Sequence, residues 1–154
     1  MSDIVWMVNP KRDTFYHLLL RLKDSYADLL NSAGISFKTV NLEKINTLKL
    51  PMDYKQNLFL IFKEGINNAI KYSKCNKIIL EANLNKDILE LILRDDGTGF
   101  DIQKIKSGNG LLNMRSRART IGGELVIDSS GEGTQIKFTG KILSLKKVVL
   151  PFLK

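Results

Sequence analysis

"KIILEANLNKDILELILRDDGTGF", residues 77–100, decides the fold class. Two apolar-rich runs, 77–84 and 87–94, flank a short Asn-Lys-Asp turn. Strand-like runs joined this way form an antiparallel hairpin. The second run then ends in two adjacent acids and a Gly-x-Gly, "DDGTG" at 95–99. Such an ending fits a plain turn, a calcium loop or a nucleotide pocket. A calcium loop places oxygen ligands at alternating positions and a glutamate at the twelfth. Counted from Asp95, the twelfth residue is Lys106, and Asp95, Asp96 and Gly97 break the alternation. Calcium is set aside on that ground. A turn stays open, because Asp and Gly are the commonest turn residues.

Upstream lies "FKEGINNAIKYS" (62–73), inside a helix expected from about Tyr54 to Tyr72. Leu58, Ile61, Phe62, Gly65, Ile66, Ala69 and Ile70 form its buried stripe. Glu64, Asn68 and Lys71 follow at spacings of four and three. At about 100° per residue they fall within roughly 60° of one another, about 120° from the centre of the apolar stripe. A carboxylate, an amide and an ammonium therefore line the edge of a buried face, where they suit either a ligand or a solvated Glu/Lys surface. Downstream, "KSGNGLLNMRSRA" (106–118) places Gly108 and Gly110 before an apolar-periodic helix near 110–121. Glycines let a ligand approach the backbone, and free amides at a helix start suit a phosphate. A flexible hinge is the other reading. Leu111 and Met114 read as core.

Elsewhere, Asp13 is placed to cap a first helix that carries Phe15, Leu18, Leu19, Leu22, Tyr26, Leu29 and Leu30 and ends at Gly34. "ISFKTV" (35–40) reads as a strand, and the stretch from Asn41 to Asp53 as a connector. Gly122 and Gly123 close the helix near 110–121, and "ELVIDSS" and "TQIKFTG" form a second hairpin about "GEG". The order predicts an α+β fold: a two-layer sandwich of a mixed, mainly antiparallel sheet with helices on one face. The basic, apolar tail "ILSLKKVVLPFLK" reads as an extra strand or a docked segment.

Composition narrows function less. The 154 residues suit one domain, and the net charge of +8 suits anionic partners or a solubilising surface. No aromatic and basic residues interleave as in nucleic-acid binders, so direct nucleic-acid binding is not expected. Cys75 and His17 are each the sole residue of their type. An internal disulfide and a cysteine metal site are thereby excluded, and a catalytic zinc centre or a Ser/His/Asp triad would lack neighbours of the right kind. No apolar run reaches the ~18 residues of a membrane span, and no secretory leader is legible. A cytoplasmic location is expected.

In order and spacing, the three segments resemble the ATP-binding catalytic domain of sensor histidine kinases, within the superfamily that also holds gyrase, the mismatch-repair ATPases and the ninety-kilodalton heat-shock chaperone. "EGINNAIKYS" is similar to that family's asparagine box, "DDGTGF" to its first glycine box, "GNGLLNMRSRA" to its second, and "GEGTQIKFT" to its closing hairpin. The resemblance implies the Bergerat-type ATP-binding fold, with ATP and Mg2+ bound. By it Asp95 would accept a hydrogen bond from the adenine amino group, while Gly97 and Gly99 would let the backbone pass close to base and sugar. Asn68 would hold the magnesium, and Lys71 would approach a phosphate. Gly108, Asn109 and Gly110 would present backbone donors to the phosphates, and Thr134 would help at the adenine through a water. Glu64 would be the catalytic carboxylate, orienting a water as in related ATPases or assisting an incoming histidine.

The short stretch between Phe100 and Gly108 and the "MRSRA" run resemble the subfamily of nitrate and cell-envelope sensors. Tyr72 stands where histidine is frequent, and Ser116 where glutamate is. The larger departure is His17, which lacks the acidic neighbour of a phosphoacceptor histidine. Residues 1–12 therefore resemble the end of a dimerisation region and linker, 13–140 the catalytic domain, and 141–154 a tail. The resemblance implies a fragment of a membrane-anchored sensor, inactive alone, with its phosphoacceptor on an upstream dimerisation domain. The phosphate would pass to the receiver domain of a response regulator. The fragment is expected to be monomeric and the full-length protein a homodimer. The alternative is an anti-sigma-factor-type serine kinase or an ATPase of the same superfamily.

Overall fold

A computed structural model of the chain describes residues 14–46, 48–98 and 110–142. Helices α1 (Phe15–Ser25) and α2 (Ala27–Ala33) lead into β1 (Ser36–Val40), followed by a 3-10 turn at Leu42–Ile45. Next come α3 (Met52–Asn68), a π-helical turn (Ala69–Ser73), and the hairpin of β2 (Lys77–Asn85) and β3 (Ile88–Asp95). Helix α4 (Gly110–Thr120) and the hairpin of β4 (Glu124–Ser130) and β5 (Gly133–Lys141) complete the order. The five strands form one sheet, ordered β1-β2-β3-β5-β4. β1 runs parallel to β2, which requires the intervening crossover through α3. The other pairings are antiparallel. The mixed, mainly antiparallel α+β architecture expected from the sequence is the one observed.

Strand alternation separates the two faces. Ile78, Leu80 and Ala82 of β2, Leu89, Leu91 and Leu93 of β3, and Ile136 and Phe138 of β5 are buried on one face. They join Phe15, Leu18, Leu19 and Leu22 of α1, Leu58, Ile61, Phe62 and Ile66 of α3, and Met114 and Ala118 of α4 in a single core. The opposite face is mixed: Ile79, Ile92 and Val126 lie on it among charged and amide side chains. Arg94 pairs with Glu81, Lys137 Nζ lies 3.5 Å from Glu90, and the Asn83 amide donates to both glutamates at 3.2 Å. Exposed pairs of this kind contribute little stability. They do keep the uncovered face compatible with water.

Helix α3 comes closest to the sheet at Gly65. A Cβ there would stand 2.7 Å from Leu93 Cδ2 and 2.9 Å from Ile136 Cδ1. Overpacking of a core costs ~1–3 kcal/mol, and the better helix propensity of alanine offsets up to ~1 kcal/mol of it. Gly65→Ala is therefore expected to lower stability by on the order of 1 kcal/mol in urea denaturation. A stability gain would show that the two methyl groups swing aside at no cost.

Some sequence expectations are corrected. Thr14, not Asp13, caps α1, its hydroxyl accepting from the His17 N–H at 3.2 Å. The first helix is not continuous to Gly34: it breaks at Tyr26, whose hydroxyl donates to Asn67 Oδ1 at 2.6 Å. Leu29, on the restarted helix, is 50% exposed instead of in the core. The stretch expected to be a plain connector buries Leu42, Ile45 and Leu50. Gly34 and Gly122 adopt the left-handed conformation expected of helix terminators. Of the tail, only Lys141 and Ile142 lie within the described residues, and residues 1–12 lie outside them.

Candidate functional site

Asp95 ends β3, one step beyond the alternation that buries Leu89, Leu91 and Leu93. Its side chain thus belongs to the helix-covered face, where the core meets solvent. Thr134 of β5 is its register partner, and Ser129 of β4 is the partner of Thr134. The Ser129 and Thr134 hydroxyl oxygens are 2.8 Å apart, and Thr134 is buried. A row of three polar side chains therefore crosses the end of an apolar face. Asp95 Oδ1 accepts the Gly97 N–H at 3.0 Å. Burial pushes the Asp95 carboxyl above its usual range, against the opposing pull of the Gly97 and Thr134 backbone groups and the Ser73 hydroxyl.

Asp96 does different work. It is exposed, and its Oδ1 accepts the N–H groups of Asn76 at 2.8 Å and Lys77 at 2.9 Å. Those bonds, the one from Asn76 foremost, hold its carboxyl below the usual range. Asp96 fastens the start of β2 to the end of β3. Of the two adjacent acids, one faces the site and the other secures the hairpin beside it.

The facing wall is α3 and its extension. Asn68 is 7% exposed, a low value for an amide. Among the described residues no hydrogen bond engages its side chain. Glu64, one turn earlier, is half-buried, and a Cβ on Gly110 would run into its carboxylate, so the start of α4 lies directly against it. Lys71 is exposed and sits in the π turn. The spacing of 3.6 residues per turn thus ends at Asn68, and Lys71 departs from the face shared by Glu64 and Asn68. Single π turns recur at functional sites.

The π turn is tied to the loop after β3. The carbonyl of Ser73 accepts the Thr98 N–H at 2.7 Å and the Thr98 hydroxyl at 3.2 Å. Gly97 is buried against the same carbonyl, and a Cβ there would also stand 2.7 Å from the carbonyl carbon and 2.8 Å from Ser73 Cβ. Only glycine allows the two segments this approach. Two recesses open nearby. One of about 110 Å3 lies between α3 and α4, lined by residues that include Glu64, Gly110, Met114 and Arg117. The other, a cleft of about 420 Å3 at the end of the sheet, is lined by residues that include Asp95, Ser129, Thr134 and Gln135.

The structure thus brings Asp95, Gly97 and Thr134 together at one end of the sheet, with Asn68 and Glu64 on the covering helix and Gly110 beside Glu64. Gly99, Gly108 and Asn109 lie outside the described residues. Leu111 and Met114 are core residues, as expected. His17 is engaged at the start of α1, its Nδ1 2.8 Å from Thr14 Oγ1. Two residues of the site escaped the sequence reading. Ser129 was legible from the register of the second hairpin, which sets it opposite Thr134. Ser73 was not, because nothing in the helical spacing announces a π turn. Among the described residues no group of three or more His, Cys, Asp or Glu side chains could hold a metal. No helix among them is long and apolar enough to cross a membrane.

Comparison with known proteins gives one consistent picture. The family of histidine kinase-, DNA gyrase B- and HSP90-like ATPases matches residues 53–143. An uncharacterized sensor-like histidine kinase of Chloroflexus aurantiacus is 36% identical over 122 residues, which cover 73% of this chain and 20% of that protein. The sensor protein VraS of Staphylococcus saprophyticus is 32% identical over 132 residues, 78% of this chain and 38% of its own length. The chain therefore spans well under half the length of these curated relatives. Among solved structures, the catalytic domain of the histidine kinase ThkA superposes with a TM-score of 0.70 at 14% identity, covering 84% of this chain and 92% of that one. The histidine kinase domain of a blue-light activated kinase from Erythrobacter litoralis gives 0.67 at 18% identity, covering 86% and 68%. At these identities the two structures speak for the fold.

Proposed function

The chain belongs to the histidine kinase-, DNA gyrase B- and HSP90-like ATPase family, and from that premise we propose that it is the ATP-binding catalytic domain of a sensor histidine kinase. The observation that carries the reading is the pairing of Asp95 with its covering wall. A half-buried carboxylate, aligned by the Gly97 N–H, sits at the end of the helix-covered face next to the π turn that follows Asn68. A fixed carboxylate is a strong acceptor for the exocyclic amino group of adenine. Thr134 and Ser129 offer hydroxyls beside it. The close approach at Gly97 packs the backbone that aligns Asp95 against the π turn.

Asn68 fits a magnesium ion. Its amide oxygen is a hard ligand, and its buried side chain has no competing partner among the described residues. Mg2+ is commonly held by one or two protein oxygens together with the substrate phosphates. When bound, the metal neutralises charge on the transferring phosphoryl group. Lys71 would meet a phosphate as a point charge, with the backbone amides of Gly108, Asn109 and Gly110 as further donors. Gly99 would adjoin the sugar. Glu64 would assist the incoming nucleophile, which in a histidine kinase is an imidazole nitrogen. Little acid–base work is then asked of the domain, and catalysis rests on positioning.

The phosphoacceptor histidine would lie on a dimerisation domain preceding this chain, and a response-regulator receiver would take the phosphate from it. Residues 1–12 would be the connection and 141–154 the tail. The chain alone would be a monomer that binds ATP, in the cytoplasm, and the full-length sensor a dimer. The relatives are sensor kinases, so the serine-kinase alternative gains no support. The test is calorimetric titration of ATP into the chain with Mg2+ and again with the metal chelated. Binding with Mg2+, weakened on the order of tenfold without it, is the expected result, equivalent to about one charge-assisted contact. No heat of binding in either titration overturns the reading.

A further inference from the structure

Ser73 is the most completely buried polar side chain of the described residues near the site, with 0% exposure. It closes the π turn, its hydroxyl donating to the Ala69 carbonyl at 2.7 Å. Its own carbonyl takes both hydrogen bonds of Thr98. Thr98 follows Gly97, whose N–H aligns Asp95 Oδ1. Two hydrogen-bonded arms thus leave one residue. The first runs back through the π turn to Ala69, the neighbour of Asn68. The second runs forward through Thr98 and Gly97 to Asp95.

We propose that Ser73 is a positioning residue that fixes the direction of the Asp95 carboxylate relative to α3, and so sets the preference of the site for an adenine over a base lacking the exocyclic amino group. The proposal rests on Asp95 being the adenine acceptor, and it adds how that acceptor is aimed. The physical reasons are specific. A serine hydroxyl bonded to the carbonyl four residues back is a neutral to mildly destabilising feature of an ordinary helix. Here it spans a turn in which the α-helical ladder has already been given up, so it replaces lost backbone bonding. The Ser73 carbonyl, facing out of that turn, can then accept from outside the helix. Without the hydroxyl the turn is free to relax toward α-helical geometry. The carbonyl that seats Thr98 and abuts Gly97 rotates with it. Discrimination by a hydrogen bond is steep in angle and distance, so a small rotation of the acceptor suffices.

The experiment compares the affinities of Mg-ATP and Mg-inosine triphosphate, which carries a carbonyl oxygen where adenine has its amino group, for four proteins: the wild type, Asp95→Asn, Ser73→Ala and Ser73→Thr. The wild type is expected to favour ATP on the order of tenfold or more. Ser73→Ala is expected to lose most of that preference through weaker ATP binding, with inosine triphosphate little changed. Ser73→Thr keeps a hydroxyl able to reach the same carbonyl and is expected to restore the preference. Equal weakening of both nucleotides in Ser73→Ala, or an unchanged preference, overturns the proposal, since a merely structural serine would act that way. A wild type that does not distinguish the two nucleotides overturns the Asp95 reading and this proposal with it. In a wild type that prefers ATP, Asp95→Asn tells the two failures apart: loss of the preference there with Ser73→Ala unaffected overturns this proposal alone, and a preference kept in Asp95→Asn overturns the Asp95 reading. Should Ser73→Ala not fold, Thr98→Val serves in its place. It removes one of the two bonds to the Ser73 carbonyl at an exposed position, and a preference left intact there overturns the proposal.

Discussion

Asp95→Asn is expected to weaken Mg-ATP binding by about 10- to 100-fold, while the protein unfolds at the same or a slightly higher denaturant concentration. A hydrogen bond to a charged group contributes ~1.5–3 kcal/mol, and each 1.4 kcal/mol is about tenfold in affinity. Asparagine keeps the shape and one acceptor oxygen, so the Gly97 N–H bond of 3.0 Å can persist. What it loses is the charge, and in one of its two orientations it turns a donor toward the adenine amino group. Stability moves the other way. Burial pushes the Asp95 carboxyl above its usual range, so the native state favours its neutral form and keeping it charged costs folding energy. The linkage is that of a raised carboxylate. It opposes folding above its folded-state pKa, and the penalty fades as pH falls through that value. Affinity for ATP has the opposite slope, declining on acidification sooner than an ordinary aspartate would dictate. Calorimetry across the mildly acidic range, with urea denaturation in parallel, checks both slopes. Equal affinity of the two proteins for Mg-ATP would remove Asp95 from the binding site.

The second large effect belongs to Gly97→Ala, which is expected to abolish measurable nucleotide binding and to lower stability by about 1–3 kcal/mol. The new methyl would be driven into the Ser73 carbonyl and approach its carbon to 2.7 Å. Nothing soft is available to yield. That carbonyl is already held by Thr98, and the hydroxyl of the same residue is held by Ala69. Relief requires the loop after β3 to part from the π turn. The movement would carry Asp95 and the region after Asn68 away from each other, so both ends of a bound nucleotide would be misplaced at once. Titration below the melting temperature separates the loss of binding from the loss of fold. Wild-type affinity in a folded Gly97→Ala protein would mean that the approach is incidental.

Periodicity carried most of the fold. The alternation of 77–94 gave both strands of the first hairpin, and the second hairpin followed from its glycines, because a half-buried sheet leaves a period of two in its residues. The apolar stripe of α3 was legible for the same reason, at the helical period. Continuity was harder to read. Tyr26 fits a helix by pattern, yet its hydroxyl finds Asn67 across the fold, and that long-range bond accompanies a break no local propensity announces. Leu42, Ile45 and Leu50 carry no period within a short connector, so their burial was invisible. At the site, the choice of Asp95 over Asp96 came from the family resemblance; Asp96 itself is spent on Asn76 and Lys77. Lys71 shows the limit of extrapolating 3.6 residues per turn past Asn68, where the helix widens.

The strand order β1-β2-β3-β5-β4 has a consequence for how the domain assembles. Each hairpin closes a few residues, an event of microseconds. Joining β3 to β5 must bring Asp95 to Thr134 across all of α4 and β4. The entropy lost in such a closure grows only slowly with length, by about 0.6 kcal/mol per doubling. Added length outside α4 and β4 in that segment therefore has little effect on whether the sheet forms. The row of Asp95, Thr134 and Ser129 exists only once that seam has zipped. Nucleotide binding would then act as a clasp on the last-formed joint of the molecule, and ligand would slow unfolding far more than it speeds folding.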